Sequence, residues 1–83
     1  MNAIVSVFPN PNNGIFKLEI NADSNQSMQM QLVNIQGQIV YSNQIEVDSK
    51  YSQNFDFSDL APGIYSLQLM NENFNKISKI VIQ

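Results

Sequence analysis

Catalysis needs groups that pass protons or electron pairs to one another, and this 83-residue chain arranges few of them to do so. It contains no His and no Cys, so neither a Ser-His nor a Cys-His pair can activate a nucleophile. The usual His/Cys zinc sites fail for the same reason. Ser78 and Lys79 are adjacent, and neighbours on a strand point to opposite faces. Asp23, Asp48, Asp56 and Asp59 leave paired-carboxylate chemistry formally open, but hydrolysis of a sugar linkage needs two acids facing across a cleft. A chain this short has little room for such a cleft, and Asp23 and Asp59 sit among turn residues, where Asp commonly caps backbone groups. Carboxylates and Asn carbonyls are present without the spaced calcium loop of an EF-hand. Gly14, Gly37 and Gly63 are isolated and each precedes a strand, whereas a phosphate cradle opens a helix. Tyr41, Tyr51 and Tyr65 would make a sugar-stacking platform only if they shared a face. Their placement on separate strands favours packing, as Met28 and Met30 favour core filling over a partner groove. The expectation is a domain with no catalytic residue, no metal and no cofactor.

Charge narrows the partners. The net charge is −3, Arg is absent, and Lys occurs only at 17, 50, 76 and 79. That leaves no basic face for nucleic acid and no polybasic patch for a membrane surface. No apolar run approaches the roughly 20 residues of a spanning helix, so direct membrane insertion is not expected. The first residues lack the basic start and long apolar centre of a signal peptide. One domain over 1–83 is expected, near the lower size limit for folding without disulfides.

The elements follow from period-two patterning. Ile4–Phe8 is a short β-type run, stopped by Pro9-Asn10-Pro11-Asn12-Asn13-Gly14. Two prolines stiffen that loop, and Asn and Gly accept positive φ. Phe16, Leu18 and Ile20 alternate with Lys17 and Glu19. Asn21–Gln26 reads as a turn, and Met28, Met30 and Leu32 then form a third core-facing set. Asn34–Gly37 is a tight turn with Gly37 at the positive-φ position. Ile39–Tyr41 restarts a strand, and Ile45 and Val47 either extend it or line a connector. Tyr51, Phe55 and Phe57 belong to a further strand, and Pro62-Gly63 halts any helical turn begun at Ser58. Tyr65, Leu67 and Leu69 alternate with Ser66, Gln68 and Met70. Asn71-Glu72-Asn73 is a reversal using the left-handed tolerance of Asn, and the β-branched run Ile77, Ile80, Val81, Ile82 needs cover inside a sheet or sandwich. About seven short strands and no helical period predict an all-β, antiparallel, Ig-like Greek-key sandwich. Its inner face is expected to hold Phe16, Leu18, Ile20, Met30, Leu32, Phe55, Phe57, Leu60, Tyr65, Leu67 and Leu69.

Three patches together resemble a known family. They are Val7–Gly14 (VFPNPNNG), Val33–Val40 (VNIQGQIV), and Leu60–Tyr65 (LAPGIY) followed by Lys79–Gln83 (KIVIQ). They are similar to the C-terminal sorting domain, type A, of the type IX secretion system of Bacteroidota, in family order and over nearly the whole chain. Asn34 stands where the family often has Asp, and Gln38 where it often has Arg or Lys.

The resemblance implies a folded export tag rather than an enzyme. Its implied partners are the outer-membrane type IX translocon with its shuttle components, and a sortase-like cysteine peptidase that removes the tag. The implied route is the periplasm, then the cell surface or the medium, with cargo and signal peptide upstream and the scissile bond upstream or within the first residues. Lys79, Ile80, Val81, Ile82 and Gln83 are the expected recognition residues, offered as a strand edge to which a receptor strand would add. Pro9, Asn10, Pro11, Gly14, Gly37, Gly63 and Tyr65 are expected to shape backbone or to pack. Lys76 and Lys79 would guard the edge against self-pairing, with self-association through an edge strand left open. Deleting Lys79–Gln83 is expected to abolish export while the fold persists. The alternative from another class is an accessory sandwich of a secreted enzyme, binding carbohydrate or an adhesin partner.

Overall fold

Alternation sets which strands face the core. The computed structural model describes residues 3–83, so the first two residues of the expected domain lie outside the described residues. Its strands are β1 (Ala3–Phe8), β2 (Ile15–Ala22), β3 (Gln26–Asn34), β4 (Ile39–Val47), β5 (Lys50–Asp56), β6 (Gly63–Asn71) and β7 (Phe74–Ile82). Among the described residues there is no helix. All strand pairs are antiparallel. One sheet has the order β1-β2-β5 and the other β4-β3-β6-β7. The chain changes sheet after β2, β4 and β5, and each remaining connection is a hairpin within one sheet. This is the Ig-like sandwich, with the fourth strand carried on the second sheet.

The core lies between the two sheets. Phe16, Leu18 and Ile20 from β2 meet Met28, Met30 and Leu32 from β3 and Tyr65, Leu67 and Leu69 from β6, all buried. Ile45, Val47, Ile80 and Ile82 complete the buried set. The predicted inner face omitted these four, and left Met28 out although its alternation with Met30 and Leu32 marks it as core-facing; it counted Phe55, Phe57 and Leu60, which are only partly buried against the cluster. The reason is positional. β5 is an edge of its sheet, so Phe55 on it and Phe57 and Leu60 just after it close the seam rather than fill the centre. Phe55 and Phe57 stack with centroids 5.7 Å apart, and Tyr41 meets Phe57 edge-on at 5.0 Å. Such ring geometries add modestly to the burial they accompany.

Two turn expectations shift. β2 continues through Ala22 and β3 begins at Gln26, so the turn shortens to Asp23–Asn25. Asn71–Asn73 turns without the left-handed backbone: Ser49 (φ 56°) is the one non-Gly residue of positive φ among the described residues. Asn71 contributes its side chain instead, whose Oδ1 accepts from Asn73 N at 2.9 Å, an Asx turn. Ser49 marks the corner where β4 passes to β5, and its carbonyl accepts from Ala22 N at 2.7 Å, closing the corner onto β2.

Candidate functional site

The Pro-Asn-Pro loop leaves β1 and crosses to the other sheet, where it runs beside the last residues of β7. Asn10 there imitates a strand residue with its side chain: Nδ2 donates to Lys79 O at 2.8 Å, and Oδ1 accepts from Val81 N at 3.0 Å. Asn12 continues the pairing through its backbone, donating to Val81 O at 2.9 Å and accepting from Gln83 N at 2.7 Å. Asn12 and Ile82 thus form a parallel bridge. Asn12 is only 6 % exposed, the one polar side chain classed as buried among the described residues. It satisfies both ends of its amide, giving Nδ2–H to Pro9 O at 2.9 Å and taking Gly14 N–H on Oδ1 at 2.8 Å. A buried amide is tolerated only when partnered in this way.

The same loop docks on the far side of Gly14. Gly14 O accepts from Phe57 N at 2.7 Å. With φ +103°, a Cβ at Gly14 would lie 2.8 Å from Phe57 O and from Ser58 Cα, so glycine is required by contact as well as by conformation. Tyr65 fastens the next loop: it is buried, and its hydroxyl donates to Ala61 O at 2.6 Å. This is the tyrosine corner of Ig-like sandwiches, from the start of the sixth strand back to the loop before it. At Gly37 (φ +84°) a Cβ would meet nothing, so the demand there is conformational alone. At Gly63 the φ of +159° is close to fully extended, the weakest requirement of the three.

These patches meet. Asn34 pairs with Tyr65, Gly63 with Ile82, and Ile82 with Asn12. The Asn34–Gly37 turn, the Pro62-Gly63 entry to β6, the end of β7 and the Pro-Asn-Pro loop therefore lie side by side at one end of the sandwich. A cleft of ≈ 230 Å³ separates Asn34–Gln36 from Ala61–Tyr65. Asn34 holds its turn by accepting from Gln36 N and Gln38 N on Oδ1, each at 3.0 Å. Its Nδ2 donates to Gln38 Oε1 at 3.0 Å. The two positions that depart from the family's charged pattern thus bond to each other, and a neutral amide pair closes the turn.

The register lays out the outer surface here. Ile64 stands opposite Val81, Ser66 opposite Lys79, and Val33 opposite both Ser66 and Ile39. Ile35 in the turn is 79 % exposed, and Ile39, Val40 and Ile64 are exposed as well. The outcome is an apolar strip with one cation, Lys79, on its flank. An exposed apolar strip of this kind is the form of a protein contact.

Two expectations for the terminal strand are corrected. The outer backbone groups of 79–83 are not open to an added strand, because Asn10 and Asn12 occupy them. Strand addition on β7 has room only along its first half, where Lys76 pairs with Leu69 on the inward-facing row, a placement that discourages self-pairing. Ile80 (0 % exposed) and Ile82 (3 %) are core residues, so deleting Lys79–Gln83 would break the fold as well as remove a signal. Of the five residues, Lys79, Val81 and Gln83 keep side chains that a partner can reach.

The tyrosines do not form a platform: Tyr65 is buried, and Tyr41 turns its edge to Phe55 and Phe57. Burial raises the Tyr51 pKa above its ordinary value, and the nearby Tyr41 raises it further. Sequence reasoning missed the part played by Asn12, whose signal was available: a second Asn inside a Pro-rich loop, two residues before a glycine that must not move. It also missed the adjacency of the patches, which no local pattern encodes.

No match to the chain is found among curated proteins. The family described as the secretion system C-terminal sorting domain matches residues 6–83, a span that contains all three patches and every element of the site just described. The chain therefore belongs to the family of type IX secretion C-terminal sorting domains, signals for export to the cell surface or the medium through that machinery.

Proposed function

We propose that the type IX machinery reads this domain as a solid object at the end where the three patches converge. The contact we infer is the outward strip Ile35, Ile39, Ile64 and Val81 with Lys79 at its flank, and Gln83 beside it. Pro9, Asn10, Pro11, Gly14, Gly37, Gly63 and Tyr65 act indirectly, by fixing the loops that frame the strip. The observation that carries this reading is the clamp of Asn10 and Asn12 on the last strand. It joins the first patch to the last across some seventy residues and fixes the terminal side chains in place. The domain over 1–83 would hang on an upstream cargo, pass through the periplasm, and meet the outer-membrane translocon and its shuttle components. A sortase-like peptidase would then remove it, with cargo anchored or released. The family's pattern supports this route.

The test uses the whole chain fused behind a signal-peptide-bearing fluorescent reporter, in a host with the type IX machinery. Wild type should carry the reporter out of the cell. Lys79→Ala and Ile64→Ser change only outward side chains, so each should keep the fold by circular dichroism and leave reporter in the periplasm. Export at the wild-type level by the folded double variant would reject the strip as the recognised surface. Periplasmic retention of the wild-type fusion would reject the sorting role itself.

A further inference from the structure

Asn13 is the only asparagine in the chain followed by glycine, and that pair has a chemistry of its own. Glycine lacks the Cβ that would hinder approach to its nitrogen. Once a base removes the Gly14 amide proton, the nitrogen can attack Asn13 Cγ. The N–Cγ bond forms, the Cγ–Nδ2 bond breaks, and ammonia leaves with a proton taken from water. One water then opens the resulting succinimide at either carbonyl, leaving Asp or its β-linked isomer. Water is the only co-reactant.

The folded loop opposes each part of this step. The attacking nitrogen is engaged, since Gly14 N–H donates to the buried Asn12 Oδ1 at 2.8 Å. The peptide that would have to swing is anchored on its other side, where Gly14 O accepts from Phe57 N at 2.7 Å. The target group is held too, since Asn13 Oδ1 accepts from Ile15 N at 3.3 Å and its side chain must leave that bond to turn on the nitrogen. Asn12 is itself fixed by its bond to Pro9 O. We propose that Asn13 is a latent covalent modification site, closed by the Asn12 side chain in the folded domain and opened when this loop unfolds. The product carries a new negative charge and, in the β-linked form, an extra backbone methylene. It lies between the Asn10–Asn12 clamp and the first residue of β2. A domain left unfolded for long would be marked irreversibly at the loop that secures its own last strand.

The experiment follows Asn13 by peptide mass mapping during incubation of the 83-residue chain at mildly alkaline pH, beside amide exchange at Gly14. Folded wild type should react at least about tenfold more slowly than wild type in urea, the factor set by a local opening that costs about 1.4 kcal/mol. Asn12→Ala, folded by circular dichroism, should react about tenfold faster than folded wild type. Asn12→Asp retains the acceptor for Gly14 N–H and should stay slow. Equal rates in folded and urea-unfolded wild type would overturn the proposal, as would a folded Asn12→Ala chain that exchanges Gly14 freely yet reacts at the wild-type rate. If Asn12→Ala does not fold, Asn12→Asp decides: a slow rate that falls in step with Gly14 exchange supports the guard, and a fast one with that amide still protected rejects it.

Discussion

The two ends of the sandwich are built on different principles. At the end that carries the three patches, segments far apart in sequence bond directly: Asn10 to β7, Asn12 to β7, Gly14 to Phe57. At the other end lie the turns Asp23–Asn25 and Glu72-Asn73 and the corner Asp48-Ser49, with fewer long-range ties, among them Ala22 N–H donating to Ser49 O at 2.7 Å. Asn71 reaches from its turn to the start of β3, to Gln26 Oε1 at 3.0 Å and Ser27 O at 3.1 Å. The first end is therefore over-determined and the second merely closed. That asymmetry suits a signal read at one end, since a fixed surface is bound without the cost of ordering it. Such a sorting domain is generally not an enzyme, and its chemistry is that of shape.

The sharpest way to break the contrast is at Gly14. Gly14→Ala would combine left-handed strain of about 1–2 kcal/mol with overpacking of about 1–3 kcal/mol against Phe57 and Ser58. For a domain whose total stability is about 5–15 kcal/mol, urea titration should show a large loss. Gly37→Ala, with open space around it, should cost only the strain, about 1–2 kcal/mol. Equal losses at the two sites would mean that contact with Phe57 is not what holds the loop.

A smaller effect is expected where the tyrosine corner is cut. Tyr65→Phe keeps the buried ring and removes the 2.6 Å bond to Ala61 O, a net loss of about 1 kcal/mol. The Ala61–Gly63 loop should loosen, read as faster amide exchange at Gly63 and Ile64, while the far turns stay protected. Asn10→Ala sharpens the comparison from the other side. It exposes Lys79 O and Val81 N, about 1 kcal/mol for two solvent-accessible bonds, and amide exchange should rise at Val81 and Gln83 together. Asn71→Ala should act only within its own turn and at the Gln26-Ser27 start of β3. If Asn71→Ala instead loosened β7 as far as Val81, the two ends would not be independent.

Most of the strand layout was legible because one buried face writes a two-residue period, as in Phe16-Lys17-Leu18-Glu19-Ile20. Where both neighbours of an apolar residue are polar but the run is short, as with Ile45 and Val47, the pattern shows a strand only once its partner is known. The register Met28↔Ile45 supplies that. Ile80 and Ile82 were hidden differently, because Val81 between them is also apolar and blurs the alternation. The site was legible as three patches, and the resemblance gave their order. Their convergence was not, since it depends on sheet order, a property of long-range pairing. The occupied edge of 79–83 was unreadable for a related reason: an Asn side chain there stands in for backbone, and no propensity scale records that substitution.

The mildest expected effect is in pH. Tyr51, the second residue of β5, has its hydroxyl pKa raised by burial and then by Tyr41. Above pH about 10 the unfolded chain therefore releases this proton before the folded one. The folded state then binds more protons, so stability falls as pH rises. What Tyr51 contributes is complete below that pH and is lost as pH climbs through its folded pKa. Asp56, beside the motif-bearing end, is held low by the Ser58 hydroxyl at 2.6 Å and then by the Ser58 N–H at 3.0 Å. Its contribution is present above the ordinary carboxylate range and is lost as pH falls through its folded pKa, a small effect at a fully exposed group. Urea midpoints should thus decline on the alkaline limb in a way that Tyr51→Phe flattens, and on the acid limb in a way that Asp56→Asn flattens. Each substitution should leave the opposite limb unchanged, because the two groups belong to different ends of β5. A Tyr51→Phe chain that also lost its acid limb would show that the ends are coupled through that strand.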